Sequence, residues 1–168
     1  MRLARISAPH AHLIAALDQA YRVRSWHGTN LRGSIRGLPI DALVWRPAQG
    51  RHNIWEIVVH CAYWKYVAWR RITRSKRGSF PLAGSDWFVR PVEASEVAWK
   101  ADVQLLDDMH AQLRSAVAAL TDRALPEPTQ GTFTAADLVA GVTAHDLYHA
   151  GQIQLLKRLG SDRGQTPV

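Results

Sequence analysis

The stretch from Asn53 to Ile72, NIWEIVVHCAYWKYVAWRRI, constrains this chain more than any other. Wound at about 3.6 residues per turn it is apolar on nearly every side, so as a helix it must be covered almost all round. Asn53 followed by Glu56 fits a capping box, with Asn in place of Ser or Thr, and the cluster Arg70, Arg71, Arg74, Lys76, Arg77 suits a helix C-terminus. His60 falls in the middle of this segment, with Glu56 and Tyr63 on its face. A buried imidazole needs a partner for its lone pair and for its N–H.

Three other segments share the helical period. One runs from about Pro9 to Gly33, opened by Ser7, and places Leu13, Leu17, Ala20, Arg24 and Leu31 along one side. Another runs from about Ser95 to Thr121, with Trp99, Val103, Leu106, His110, Leu113, Val117 and Leu120 at spacings of four and three. The last runs from about Thr134 to Leu159, with Thr134 and Asp137 as a capping box and Gly160 as its stop. No stretch sustains two-residue alternation, so a sheet does not organise the fold. The expectation is an all-α, four-helix bundle forming a single domain over residues 1–168. Residues 34–52 and 77–94 are long, proline-bearing connections. The second reads as a crossover between helices two and three; the first packs over one end through Leu43 and Trp45.

Near the end of the chain stand His145 and His149, four residues apart, where a helix stacks them on one face. Leu138, Val142, Leu156 and Leu159 share that stripe, so the pair faces the interior. With His60 from a facing helix they would supply three nitrogens, leaving positions open for water or substrate as in a catalytic site. Zinc, nickel and ferrous iron all accept imidazole. The competing reading makes each histidine a core residue bonded to backbone or side chain. Gln152 lies on the same stripe and either orients a ligand or bonds a neighbouring segment. His110 is a candidate fourth ligand. His10, His12, His27 and His52 read as solvated or capping, Trp55, Trp64 and Trp69 as bundle filling, and Trp64 or Tyr63 as a pocket wall beside His60.

At 168 residues the chain can bury a real core. Its one cysteine, Cys61, excludes an intrachain disulfide and reads as a small buried apolar group, which suits a reducing compartment. Residues 1–12 hold no signal sequence, and no apolar run is long enough to span a bilayer, so a cytoplasmic location is expected. The net charge of +7 would favour acidic partners, but it is scattered over loops and helix ends without an aromatic-basic motif, so nucleic acid and membrane are not expected partners.

The segments Gly37-Leu38-Pro39 through Trp45-Arg46-Pro47, Asn53 through His60, and His145-Asp146-Leu147-Tyr148-His149-Ala150-Gly151-Gln152-Ile153 resemble the DinB/YfiT-like superfamily of bacterial proteins. The resemblance spans nearly the whole chain, and the last segment is its most specific part. It implies a four-helix bundle with a long crossover between the second and third helices, and a divalent metal held by His60, His145 and His149. It also implies a homodimer, which the all-round apolarity of the second helix and the many tryptophans favour too. Relatives include enzymes that use bacillithiol or mycothiol as nucleophile and others described as metal-dependent hydrolases.

Three functions follow. The first is a metal-dependent enzyme, a thiol S-transferase or hydrolase acting on a small molecule, with Glu56 as catalytic base or supporting carboxylate unless its capping role accounts for it. The second is a non-catalytic bundle that binds metal or ligand in stress response or detoxification. The third is a basic protein that binds a partner or nucleic acid, with structural histidines.

Overall fold

The computed structural model describes residues 8–162, and these are all-helical, with no strand among them. Four long helices carry the fold: α1 (Ala8–Tyr21), α4 (Ile54–Thr73), α5 (Glu96–Ala118) and α6 (Ala135–Ser161). Two short ones, α2 (Leu31–Ser34) and α3 (Ile40–Val44), lie between α1 and α4, and a 3₁₀ turn (Asp122–Ala124) precedes α6. The α4 helix packs mainly on α5 and also on α6, while α1 lies chiefly on α6.

The ends of α4 follow its sequence. Asn53 Oδ1 accepts from the Glu56 N–H at 2.8 Å, and Glu56 reaches back to the Asn53 N–H, completing the capping box. Arg74 turns into the left-handed region (φ 56°), and its N–H closes on the carbonyls of Arg70 and Arg71, so the helix stops three residues short of Lys76. Ser95 caps α5, and Thr134 with Asp137 forms the capping box of α6. The α6 helix continues through Gly160 to Ser161, so Gly160 is not its stop.

The first helix departs from expectation. It ends at Tyr21 instead of running to Gly33, and its buried side is Ile14, Leu17, Ala20 and Tyr21. Ser25, Gly28 (φ 101°) and Asn30 follow; Asn30 Oδ1 takes the Gly33 N–H at 2.8 Å and starts α2 afresh. Leu31 is buried, but from this new helix. Ser7, the expected opening residue, lies outside the described residues.

Fourteen of the twenty residues of α4 are buried, so its apolar faces are covered within the chain and do not by themselves call for a second copy. One core cluster gathers Leu43, Trp55, Val58, Val59, Leu106, Ile153 and Leu156, with Trp45 packed against it. A second joins Leu17, Ala68, Leu113, Val117, Val139 and Val142. Between the helices runs a polar seam that periodicity does not reveal. Lys65 on α4 and Asp146 on α6, both fully buried, form an ion pair, and the ammonium sits 4.8 Å from the Tyr21 ring centroid on α1. Trp55 Nε1 donates to Asp102 on α5 at 2.7 Å. His10 is not solvated: it is buried, and its Nε2 meets the Val117 carbonyl in the last turn of α5 at 2.6 Å, capping a helix other than its own. Cys61 is fully buried, with burial pushing its thiol pKa well up, as expected of an inert apolar filler. No helix among the described residues is long and apolar enough to cross a membrane.

Candidate metal centre

His60 stands mid-way along α4, and His145 and His149 stand one turn apart on α6. Their rings converge: His145 Nε2 lies 3.1 Å from His60 Nε2 and 3.1 Å from His149 Nε2. The opposite ring nitrogens decide what these three atoms are. His60 Nδ1–H donates to the Asp86 carbonyl at 2.9 Å, with the Asp86 carboxylate at 3.2 Å. His149 Nδ1 faces Gln152 Oε1 at 2.7 Å, and Gln152 Nε2 donates to the Tyr148 hydroxyl at 2.9 Å. The Gln152 amide therefore presents its acceptor to His149, so His149 Nδ1 carries the proton. In neutral rings this leaves lone pairs on Nε2 of both His60 and His149.

Protonation does not relieve the crowding. Burial, chiefly, and then the neighbouring imidazoles lower the pKa of His145 to about 3 and that of His149 to about 4. His60 is lowered as well, because burial outweighs its bond to Asp86. All three are thus neutral near pH 7, which is the ligating form. A proton on His145 Nε2 would satisfy only one of its two neighbours, and its buried Nδ1 has no partner. Nitrogens sharing one ion at about 2.0 to 2.1 Å stand about 2.9 to 3.4 Å apart for octahedral and tetrahedral angles, and the observed 3.1 Å falls in that range. The three residues fit a divalent cation. Cys61, His145 and Asp146 also approach one another within 4.8 Å, but the thiol stays protonated and Lys65 already neutralises Asp146, so they do not fit one.

The site opens into a cleft of about 650 Å³. Pro47, Ile57, Trp64, Trp87, Leu155 and Leu156 supply its apolar wall, with Arg51, His52, Tyr148 and Gln152 at polar positions. Trp87 stacks on His60 (3.8 Å between centroids, 9° between planes) and with its other face on His52 (3.5 Å, 5°). His52, expected to be solvated or capping, thus joins the cleft. Its Nδ1 lies 3.1 Å from Glu56 Oε2.

Glu56 is buried and gripped by Arg46, whose Nη1 and Nη2 donate to its two oxygens at 2.7 and 2.6 Å. Burial alone would raise its pKa, but the bonds from Arg46 and His52 outweigh it and hold the carboxyl below its ordinary value. The capping bond occupies the same carboxylate, and Glu56 is not among the residues lining the cleft.

Gln152 accepts from His149 and so sets which nitrogen that ring turns toward the other two histidines. Trp64 lines the cleft, whereas Tyr63 turns toward Phe80 and Phe88. His110 is not a fourth ligand: it is buried against Tyr21 (3.8 Å, stacked), with Nε2 3.4 Å from Asp18. The contribution that sequence reasoning missed comes from the 77–94 connection, which delivers Asp86 and Trp87 to His60. Asp86 adopts φ 63°, a left-handed conformation that Asp tolerates better than most side chains, and its carboxylate also takes the Trp64 indole N–H at 2.8 Å. The available signal was Trp87 beside Asp86 in a connection otherwise rich in small residues and prolines.

The profile of the DinB superfamily matches residues 24–153, a span that includes all three histidines. No curated protein and no solved structure matches the chain. Because that match covers well over half of the sequence and the converging histidines lie within it, the chain belongs to the DinB superfamily.

Proposed function

We propose that this protein is a metal-dependent thiol S-transferase that acts on a small apolar electrophile. The observation that carries the reading is the meeting of three neutral Nε2 atoms at the wall of an open, mostly apolar cleft. His60, His145 and His149 would hold the cation, in a four-helix bundle of α1, α4, α5 and α6 with the 77–94 connection as crossover. When bound, a divalent cation supplies Lewis acidity that lowers the pKa of a coordinated thiol or water.

Asp86 and Gln152 fix the ligand rings with Nε2 toward the site. Trp64, Trp87 and Leu155 exclude water and hold the apolar body of the electrophile. His52 accepts the proton released by the thiol, and Glu56 positions His52 while Arg46 neutralises the pair. The thiol sulfur forms the new bond to the electrophilic carbon as the leaving group departs with its electron pair. Bacillithiol or mycothiol supplies that sulfur. Transfer is favoured over hydrolysis because the carboxylates around the site, Asp86, Glu56 and Asp146, are each held by hydrogen-bond donors, and an imidazole suffices as base for a thiol.

Purification without a histidine tag, followed by elemental analysis, should find about one divalent ion per chain. Conjugation of a chromogenic aryl halide with each bacterial thiol should depend on that ion and disappear in His149→Ala, with far-ultraviolet circular dichroism unchanged. Full turnover by metal-free His149→Ala would overturn the reading. Stoichiometric metal without turnover of any electrophile would favour a ligand-binding bundle instead.

A further inference from the structure

At the far end of α4 from Asn53 lies a second pocket in which four of the seven lining residues are cations. Arg70 is buried and its Nη1 donates to Gln130 Oε1 at 2.6 Å. Gln130 N–H donates to the Arg71 carbonyl at 3.3 Å, and Arg74 Nη2 to the Pro128 carbonyl at 3.2 Å. These bonds hold residues 128–131 against the helix end and enclose about 380 Å³. Arg70, Arg71, Lys76 and Arg77 line it with Ser75 and Gln130, and no carboxylate does.

Elsewhere five cations are matched by carboxylates, Arg32 with Asp107, Arg46 with Glu56, Lys65 with Asp146, Arg90 with Asp102 and Arg114 with Asp18, while the half-buried Lys157 donates to the Ser34 carbonyl. None of the four in this pocket forms an ion pair among the described residues. Arg71 Nε is moreover buried with no acceptor. The negative end of the α4 dipole favours cations in its last turn, but it does not explain Lys76 and Arg77 beyond the helix or a buried N–H with nothing to donate to.

We infer that this pocket binds a phosphate-type dianion. Guanidinium groups present paired N–H donors that match a tetrahedral oxyanion, and four cations suit a dianion better than a single carboxylate. Arg70, Arg71 and Arg77 also border a neighbouring hollow of about 670 Å³ walled by Tyr63, Tyr66 and Phe80. A phosphomonoester with a flat apolar body would lay that body there, whereas free inorganic phosphate would fill the cationic end alone. Arg71 lies eleven residues beyond His60 on α4, about 16 Å along the axis at 1.5 Å per residue. The inference therefore does not depend on the metal reading.

The test is calorimetric titration of the full chain with inorganic phosphate and with phenyl phosphate at constant ionic strength, against sodium chloride as control. Saturable binding of either anion is expected, weakened at least about tenfold in Arg71→Gln and in Arg77→Gln, with metal content and the binding of Lys100→Gln unchanged. Tighter binding of phenyl phosphate would identify an organic phosphate as the ligand, and equal binding the free ion. Arg77 is exposed, so Arg77→Gln serves if Arg71→Gln does not fold. Binding of neither anion, or unchanged binding in the folded variants, would overturn the inference. Binding of a single-stranded oligonucleotide that neither anion displaces would overturn it in favour of a nucleic-acid backbone.

Discussion

Replacing Lys65 by Met should be among the most damaging single changes in this chain, and its cost should depend on pH. Lys65 and Asp146 are both fully buried, and Asp146 Oδ1 already lacks a partner. Removing the ammonium strands a carboxylate that burial pushes toward its neutral form. The folded protein escapes an unpaired charge by protonating Asp146, which from an unfolded pKa of about 3.9 costs about 4 kcal/mol at pH 7 and about 1.5 kcal/mol at pH 5. The first figure agrees with the roughly 3 to 5 kcal/mol typical of breaking a buried pair. The sign follows from linkage: in Lys65→Met the folded pKa of Asp146 is raised, so stability is greatest below about pH 3.9 and declines as pH rises toward the folded value. Urea unfolding followed by circular dichroism with a chelator present, at both pH values and against the parent, measures the difference. For a chain of this size a loss of about 4 kcal/mol lowers Tm by about 8 to 16 °C. Lys65→Met/Asp146→Leu should recover most of it, since apolar replacement of a buried pair is often neutral. A loss below about 1 kcal/mol at pH 7, or an equal loss at pH 5 and pH 7, would refute the reasoning.

Gln152→Leu removes the acceptor that orients His149 and should weaken metal affinity about 10- to 100-fold by competition titration, while Gln152→Glu retains it. Burial first, and then the charges of Lys65, Arg22 and Arg114, hold His110 near a pKa of about 2, since Arg114 already neutralises the nearby Asp18. Its folded pKa is depressed, so its contribution is complete above about pH 6.5 and is lost as pH falls. By pH 4.5 the loss reaches about 2.7 kcal/mol, and His110→Phe, still stacked on Tyr21, should lack that part of the acid slope in chemical denaturation. Asn53→Ala should cost about 0.5 to 2 kcal/mol of stability by loss of the cap, with metal stoichiometry unchanged.

Local chemistry was written plainly in the chain. Asn53 with Glu56, Ser95, and Thr134 with Asp137 mark helix starts because each satisfies orphan N–H groups within three residues, and the spacing of His145 and His149 puts both on one face by helical pitch alone. Periodicity also placed Trp99, Leu106, His110, Leu113 and Val117 on the buried side of α5. It misled at Tyr21, where apolar spacing continues past the turn residues that end the helix, and at Gly160, where tolerance of glycine let α6 run on. Tertiary structure alone decided the partners. A period tells which face of a helix is covered but not what covers it, so the pairing of Lys65 with Asp146, 81 residues apart, follows only from the way α4 lies on α6. The same holds for Asp86 and Trp87, which reach His60 because a connection without regular structure folds back over α4, and for Nε2 as the nitrogen that His60 and His149 present, which is set by the Asp86 carbonyl and by Gln152. Sequence named the three histidines, and the packing of α4 on α6 brought their ring nitrogens together.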